Sequence, residues 1–125
     1  MEAETRELLD YLDEVLEEYE KYLINLGNNG LSASLILYYR DEIQEILDEL
    51  KYERELDLQD YWLRVRNLDE LLRQNLEVAV NEIGYDVFKR HQITNDPPLT
   101  HWWWYINRQV SRPQPPPKAW EFWKK

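Results

Sequence analysis

Apolar residues recur along this chain at steps of three and four, which is the spacing of one face of an α-helix. The longest such pattern spans residues 57–83, and Trp62 lies beside it and widens the apolar surface. Its positions are Leu58, Tyr61, Val65, Leu68, Leu72, Leu76, Ala79 and Ile83. Asp57 is suited to cap the first turn, and Gly84 is suited to end the helix. We predict a central helix over residues 57–83.

Two shorter patterns precede this helix. The first spans residues 5–26 and ends at the glycine and asparagine residues of positions 27–30, both of which tolerate positive φ. The second begins with Ser32 as a predicted N-cap and continues to about Tyr52. Because the connections are short, we expect the three helices to be antiparallel neighbours.

The pattern weakens after Gly84, and Pro97 is suited to the first position of a fourth, shorter helix over residues 97–110. Proline-rich residues 111–119 should be extended. The predicted fold is therefore all-α, a three-helix antiparallel bundle with a short fourth helix and an extended Pro/Trp-rich C-terminal segment. We divide the chain into a helical domain of residues 1–110 and a tail of residues 111–125, which packs on the bundle or on a partner.

Charge is distributed unevenly along the chain. The net charge is −10, and residues 1–60 carry 18 Asp and Glu against 5 Lys and Arg. Residues 61–125 carry 7 acidic and 10 basic side chains. The acidic half should repel nucleic acid and anionic membranes and should attract basic partners.

The absence of cysteine excludes disulfides and thiol chemistry. The N-terminal residues show no secretory signal, and no apolar run reaches the ~18 residues of a membrane span, so we expect a cytoplasmic protein without stable membrane insertion.

Catalytic and metal-binding patterns are weak. His91 and His101 have no Glu or His at helical metal-ligand spacing, and no Gly-rich phosphate loop is present. Serines are few, and Ser32 is better explained as a cap than as a nucleophile. We therefore expect a protein that is not an enzyme, with no metal and no cofactor.

Carboxylates instead form rows along the first two predicted helices. One row comprises Asp13, Glu14, Glu17, Glu18 and Glu20, and another comprises Asp41, Glu45 and Asp48. A solvated helix face explains these rows most simply. An alternative function is cation (calcium) binding or mimicry of DNA by these carboxylates.

The aromatic C-terminal region is the main functional signal. Consecutive residues of an α-helix are about 100° apart, so the rings of residues 102–105 cannot all face one core. The tail either folds back over them or forms a docking surface with them, and tryptophan is enriched at binding hot spots. The predicted partner-binding residues are Trp102, Trp103, Trp104, Tyr105, Pro115, Pro116, Trp120, Phe122 and Trp123.

From these observations we expect a small acidic adaptor, regulator or assembly factor whose partner is another protein rather than nucleic acid. A homodimer is also possible, because the wide apolar faces of the first two helices can exceed what one molecule buries.

Overall fold

A computed structural model describes residues 2–110, and within this range the chain forms helices and no β-strand. The elements are α1 (Ala3–Ile24), a first 3₁₀-helix (Gly30–Ser32), α2 (Leu35–Leu50), α3 (Gln59–Gln74), α4 (Leu76–Ile83), α5 (Tyr85–Asn95) and a second 3₁₀-helix (Trp102–Gln109). The all-α class is confirmed. The extended segment predicted for residues 111–119 lies outside the described residues.

One hydrophobic core joins these elements. α1 packs along α2 and contacts α3, while the second 3₁₀-helix contacts α2, α4 and α5. The largest fully buried side chains are Trp103, Trp104, Tyr19, Phe88, Leu12, Leu16, Ile36, Leu37, Ile43, Leu47, Leu50 and Leu72. The predicted apolar pattern of α3 faces this core through Val65, Leu68 and Leu72. The antiparallel arrangement of three helices stays a prediction.

The predicted central helix is divided in two at Asn75. This residue has φ −125° and ψ 31°, outside the α-helical region, and it separates α3 from α4. The Asn75 side-chain amide donates to the backbone carbonyl of Leu71 at 2.8 Å. Asparagine side chains compete in this way with the backbone hydrogen bonds of a helix. The prediction of one uninterrupted helix over residues 57–83 is therefore wrong. The predicted end at Gly84 is correct, because Gly84 follows α4 directly and has φ 103°. α3 begins two residues later than predicted, at Gln59 with Leu58 at the N-cap position, although Asp57 Oδ1 accepts the Gln59 N–H.

The connection between α1 and α2 is held by a carboxylate. Glu82 of α4 accepts hydrogen bonds from the backbone N–H groups of Gly27 at 2.5 Å and Gly30 at 3.0 Å, and also from that of Asn29. Ser32 is not an N-cap, because it lies in the first 3₁₀-helix and its side chain makes no capping hydrogen bond. The conformation of this loop is therefore stabilised by the Glu82 carboxylate, which is distant in sequence, rather than by a local capping side chain.

The fourth helix predicted over residues 97–110 is correct only in part, because the chain forms a 3₁₀-helix over Trp102–Gln109 and no helix begins at Pro97. α5 ends at Asn95, and the chain turns at Asp96, which has φ 42°. Pro97 precedes Pro98, and a residue before proline is disfavoured in the α region, so no helix begins there. The Tyr105 hydroxyl donates to the carbonyl of Pro97 and fixes this turn against the second 3₁₀-helix.

Candidate functional site

The structure separates the predicted partner-binding residues into two groups. Trp103 and Trp104 are 1% and 0% exposed, so they cannot touch a partner in this conformation. Trp102 and Tyr105 are half-buried at the margin of the second 3₁₀-helix, and their partner-binding role stays a prediction. The remaining predicted residues lie outside the described residues, namely Pro115, Pro116, Trp120, Phe122 and Trp123.

One carboxylate explains how two adjacent tryptophans are buried. A 3₁₀-helix has about three residues per turn, so its consecutive side chains point in directions about 120° apart. The indole N–H groups of Trp103 and Trp104 nevertheless both donate to Asp41 Oδ1, at 2.7 Å and 2.8 Å. A buried indole needs such an acceptor. Asp41 thus fixes the second 3₁₀-helix against α2.

The two histidines stack on these same tryptophans. The ring centroids of His91 and Trp104 are 3.4 Å apart, and those of His101 and Trp103 are 4.7 Å apart. Burial lowers the pKa of His91 from its ordinary value, although the nearby Asp41 carboxylate opposes this effect. Both imidazoles therefore contribute ring packing beside Asp41.

His91 also borders a surface cleft. This cleft, of about 420 Å³, lies between Tyr38 of α2 and one face of α5, and Arg90 is among its lining residues. The Asn95 side-chain amide lies 2.7 Å from His91 Nδ1. In residues 2–110 no group of three or more His, Asp or Glu side chains is arranged to hold a metal ion.

A buried ion pair lies beside Trp103. Arg40 Nε donates to Asp69 Oδ1 at 2.9 Å, and the two residues are 4% and 5% exposed. The Tyr19 hydroxyl donates to the same carboxylate oxygen at 2.8 Å. Burial first, and then the Asp69 carboxylate, raise the pKa of Tyr19 well above its ordinary value. The Arg40 guanidinium also lies 4.2 Å from the ring centroid of Trp103. Through their contacts with Tyr19 and Trp103, Arg40 and Asp69 therefore connect α1, α2, α3 and the second 3₁₀-helix.

Above this ion pair is a surface groove of about 290 Å³. Its lining residues are Arg40, Trp62, Val65, Arg66, Asp69 and Arg73. Positions 62, 66 and 73 are four and seven residues apart, which places them along one side of α3. The Arg73 guanidinium lies 4.1 Å from the ring centroid of Trp102. We call Trp62, Arg66, Arg73 and Trp102 the tryptophan–arginine strip.

The arginines of the strip have no acidic partner among the described residues. The ion pairs that arginine makes within residues 2–110 join Arg40 to Asp69 and Arg64 to Glu20, and none involves Arg66 or Arg73. Both arginines are exposed, and Trp62 is 37% exposed. The strip therefore presents two exposed guanidinium groups, neither of which is ion-paired among the described residues, beside an exposed indole.

Part of the signal for this site is present in the sequence. The helical spacing places Trp62 beside the apolar face of the predicted central helix, and Arg66 and Arg73 follow it at steps of four and seven, but the pattern does not indicate that these three side chains form a site. The burial of Arg40 was not foreseeable, because its partner Asp69 is 29 residues away in the chain.

Comparison of the chain with protein-family models, curated proteins and solved structures finds no match. None of the described helices is long and apolar enough to cross a membrane. The site therefore has to be interpreted from its own chemistry.

Proposed function

We propose that this protein is a non-catalytic binding module, an adaptor, regulator or assembly factor, that recognises another protein through the tryptophan–arginine strip and the adjoining tail. The observation that supports this most directly is the exposed combination of Trp62 with two arginines that make no ion pair among the described residues, above the buried Arg40–Asp69 pair. Tryptophan and arginine are the residue types that most often dominate binding energy at protein interfaces.

The buried packing beneath the groove favours binding of a partner protein. The Arg40–Asp69 pair is buried and hydrogen-bonded to Tyr19, so the groove walls are attached to several elements of the core. A preformed surface loses less conformational entropy on binding than a flexible one. Trp103 and Trp104 contribute to this function from the interior, because they hold the second 3₁₀-helix in place.

The tail begins at one end of the strip. Val110, the last described residue, lines a surface depression together with Arg73 and Gln109. We propose that tail residues 111–125 extend the binding surface, with charge contributing to encounter rate and salt sensitivity more than to affinity.

The test is affinity capture of the tagged full-length protein from its source cells. Trp62→Ala should strongly reduce recovery of the specific partner, since truncation of a hot-spot residue costs about 2 kcal/mol or more. Tyr52→Ala is the matched control, because Tyr52 is 77% exposed and does not line the groove. Equal recovery with both variants would contradict the assignment of the strip.

Removal of residues 113–125 tests the tail separately. The truncated chain should retain its helical circular dichroism while capturing less partner. If truncation unfolds the protein, the tail is a structural element and its proposed binding role is wrong.

A further inference from the structure

We infer that the partner presents an acidic segment, whose carboxylates bind Arg66 and Arg73 while an apolar side chain contacts Trp62. This inference rests on the proposed function, because it names the chemistry of the partner at the same strip. It follows from the charge of the strip, the spacing of its arginines and the character of the surrounding surface.

The positive charge of the strip lies on two exposed guanidinium groups. Arg66 and Arg73 are exposed and make no ion pair with any carboxylate of residues 2–110. A guanidinium presents its donors in a planar fork that matches the two oxygens of a carboxylate. The positive charge of Arg40 beneath them is already compensated by Asp69. The two outer arginines are thus the groups available to an anionic ligand.

The spacing of the arginines favours an extended peptide. Residues seven apart on an α-helix are separated by about 10.5 Å along its axis, because the rise is 1.5 Å per residue. An extended chain in the polyproline II conformation rises about 3.1 Å per residue with three residues per turn, so two carboxylates three residues apart lie on one side of it, about 9.3 Å apart. A segment with an acidic residue at every third position therefore matches Arg66 and Arg73.

The surroundings favour an acidic protein segment over nucleic acid. Duplex DNA carries one negative charge per about 1.7 Å, so its charge extends far beyond a short strip. Residues 1–60 of this chain carry 18 Asp and Glu side chains, and these would repel such a polyanion. A short peptide places only a few carboxylates at the arginines and avoids most of this repulsion.

The test measures binding of a fluorescein-labelled peptide to the full-length chain by fluorescence anisotropy. The probe carries Glu at every third position with Leu and Ala between, and a second peptide replaces each Glu with Gln. Single-stranded oligothymidylate of similar length is the nucleic-acid probe. The protein variants are Arg66→Gln and Arg73→Gln, and Arg54→Gln is the matched control, because Arg54 is also exposed and lies outside the groove.

We expect the Glu peptide to bind, the Gln peptide to bind far more weakly, and added salt to weaken the complex. Each strip variant should raise Kd about fivefold, the upper range for an exposed charge pair, and the double variant should approach the product of the two effects. Arg54→Gln should leave Kd unchanged, and circular dichroism should show that all variants remain helical.

Three outcomes would overturn the inference. If Glu and Gln peptides bind equally and the arginine variants have no effect, the strip can still bind a protein, but not through carboxylates. If oligothymidylate binds more tightly than the Glu peptide, the ligand is nucleic acid. If neither peptide binds, the acidic segment is wrong, whereas loss of partner capture by Trp62→Ala would still support the proposed function.

Discussion

Substitution of Asp41 is the most informative perturbation of the fold. Its Oδ1 atom accepts both indole N–H groups of the buried pair Trp103 and Trp104, so Asp41→Ala leaves two donors without their acceptor. Asp41→Asn keeps one carbonyl oxygen as an acceptor but removes the charge. The two variants therefore separate the loss of an acceptor from the loss of charge.

The magnitude of each loss can be estimated from the geometry. A hydrogen bond to a charged group contributes about 1.5–3 kcal/mol, so loss of both bonds sets an upper range of about 3–6 kcal/mol. The Asp41 side chain is 24% exposed, so water can enter and replace part of the lost hydrogen bonding. We expect Asp41→Ala to lower the free energy of unfolding by about 2–4 kcal/mol and Asp41→Asn by about 1–2 kcal/mol.

The assay is urea unfolding, followed by circular dichroism and by tryptophan fluorescence. Glu45→Ala is the control, because Glu45 is exposed on the same helix and should change stability by less than about 0.5 kcal/mol. A change of less than about 0.5 kcal/mol in Asp41→Ala would refute the reasoning. Equal destabilisation by Ala and Asn would show that charge, rather than the acceptor atom, is what matters.

Three further predictions concern the buried pair, the histidine stack and the loop. Asp69→Ala should lower the free energy of unfolding by about 3–5 kcal/mol, because it leaves the Arg40 charge buried without its carboxylate. Replacement of both Arg40 and Asp69 by apolar residues of similar size should leave the free energy of unfolding, measured in urea, nearly unchanged. Because the pKa of His91 is lowered by folding, the unfolded chain binds more protons. Stability should therefore fall as pH drops through about 6.5, and His91→Phe should remove this part of the pH dependence of unfolding. Glu82→Ala should speed amide hydrogen exchange at Gly27 and Gly30, while unchanged exchange would show that the carboxylate does not order the loop.

The predictable part of the fold depends on local periodicity. Val65, Leu68 and Leu72 are buried where their spacing indicated, because a helix repeats its facing direction every few residues. The first helix was located within two residues at each end for the same reason. The break at Asn75 was missed, since asparagine occurs both inside helices and at their ends and no local pattern distinguishes the two cases.

The unpredictable part depends on contacts between distant residues. The burial of Trp103 requires Asp41, which is 62 residues away in the chain. The strip likewise requires Arg73 of α3 to meet Trp102 of the second 3₁₀-helix. Residue types showed that this region is rich in aromatic and basic groups, but only the packing shows that Trp103 and Trp104 are interior while Trp62 is exposed.

Site-specific photo-crosslinking examines directly whether a partner contacts the strip. A benzophenone amino acid is placed at position 70, an exposed position of α3 between Arg66 and Arg73, so that Trp62 and both arginines stay intact. The same group at position 52, which is exposed and does not line the groove, is the comparison in source cells. We expect a specific crosslinked protein from position 70 and none from position 52, whereas crosslinking of the captured partner from position 52 alone would show that the strip is not the binding surface.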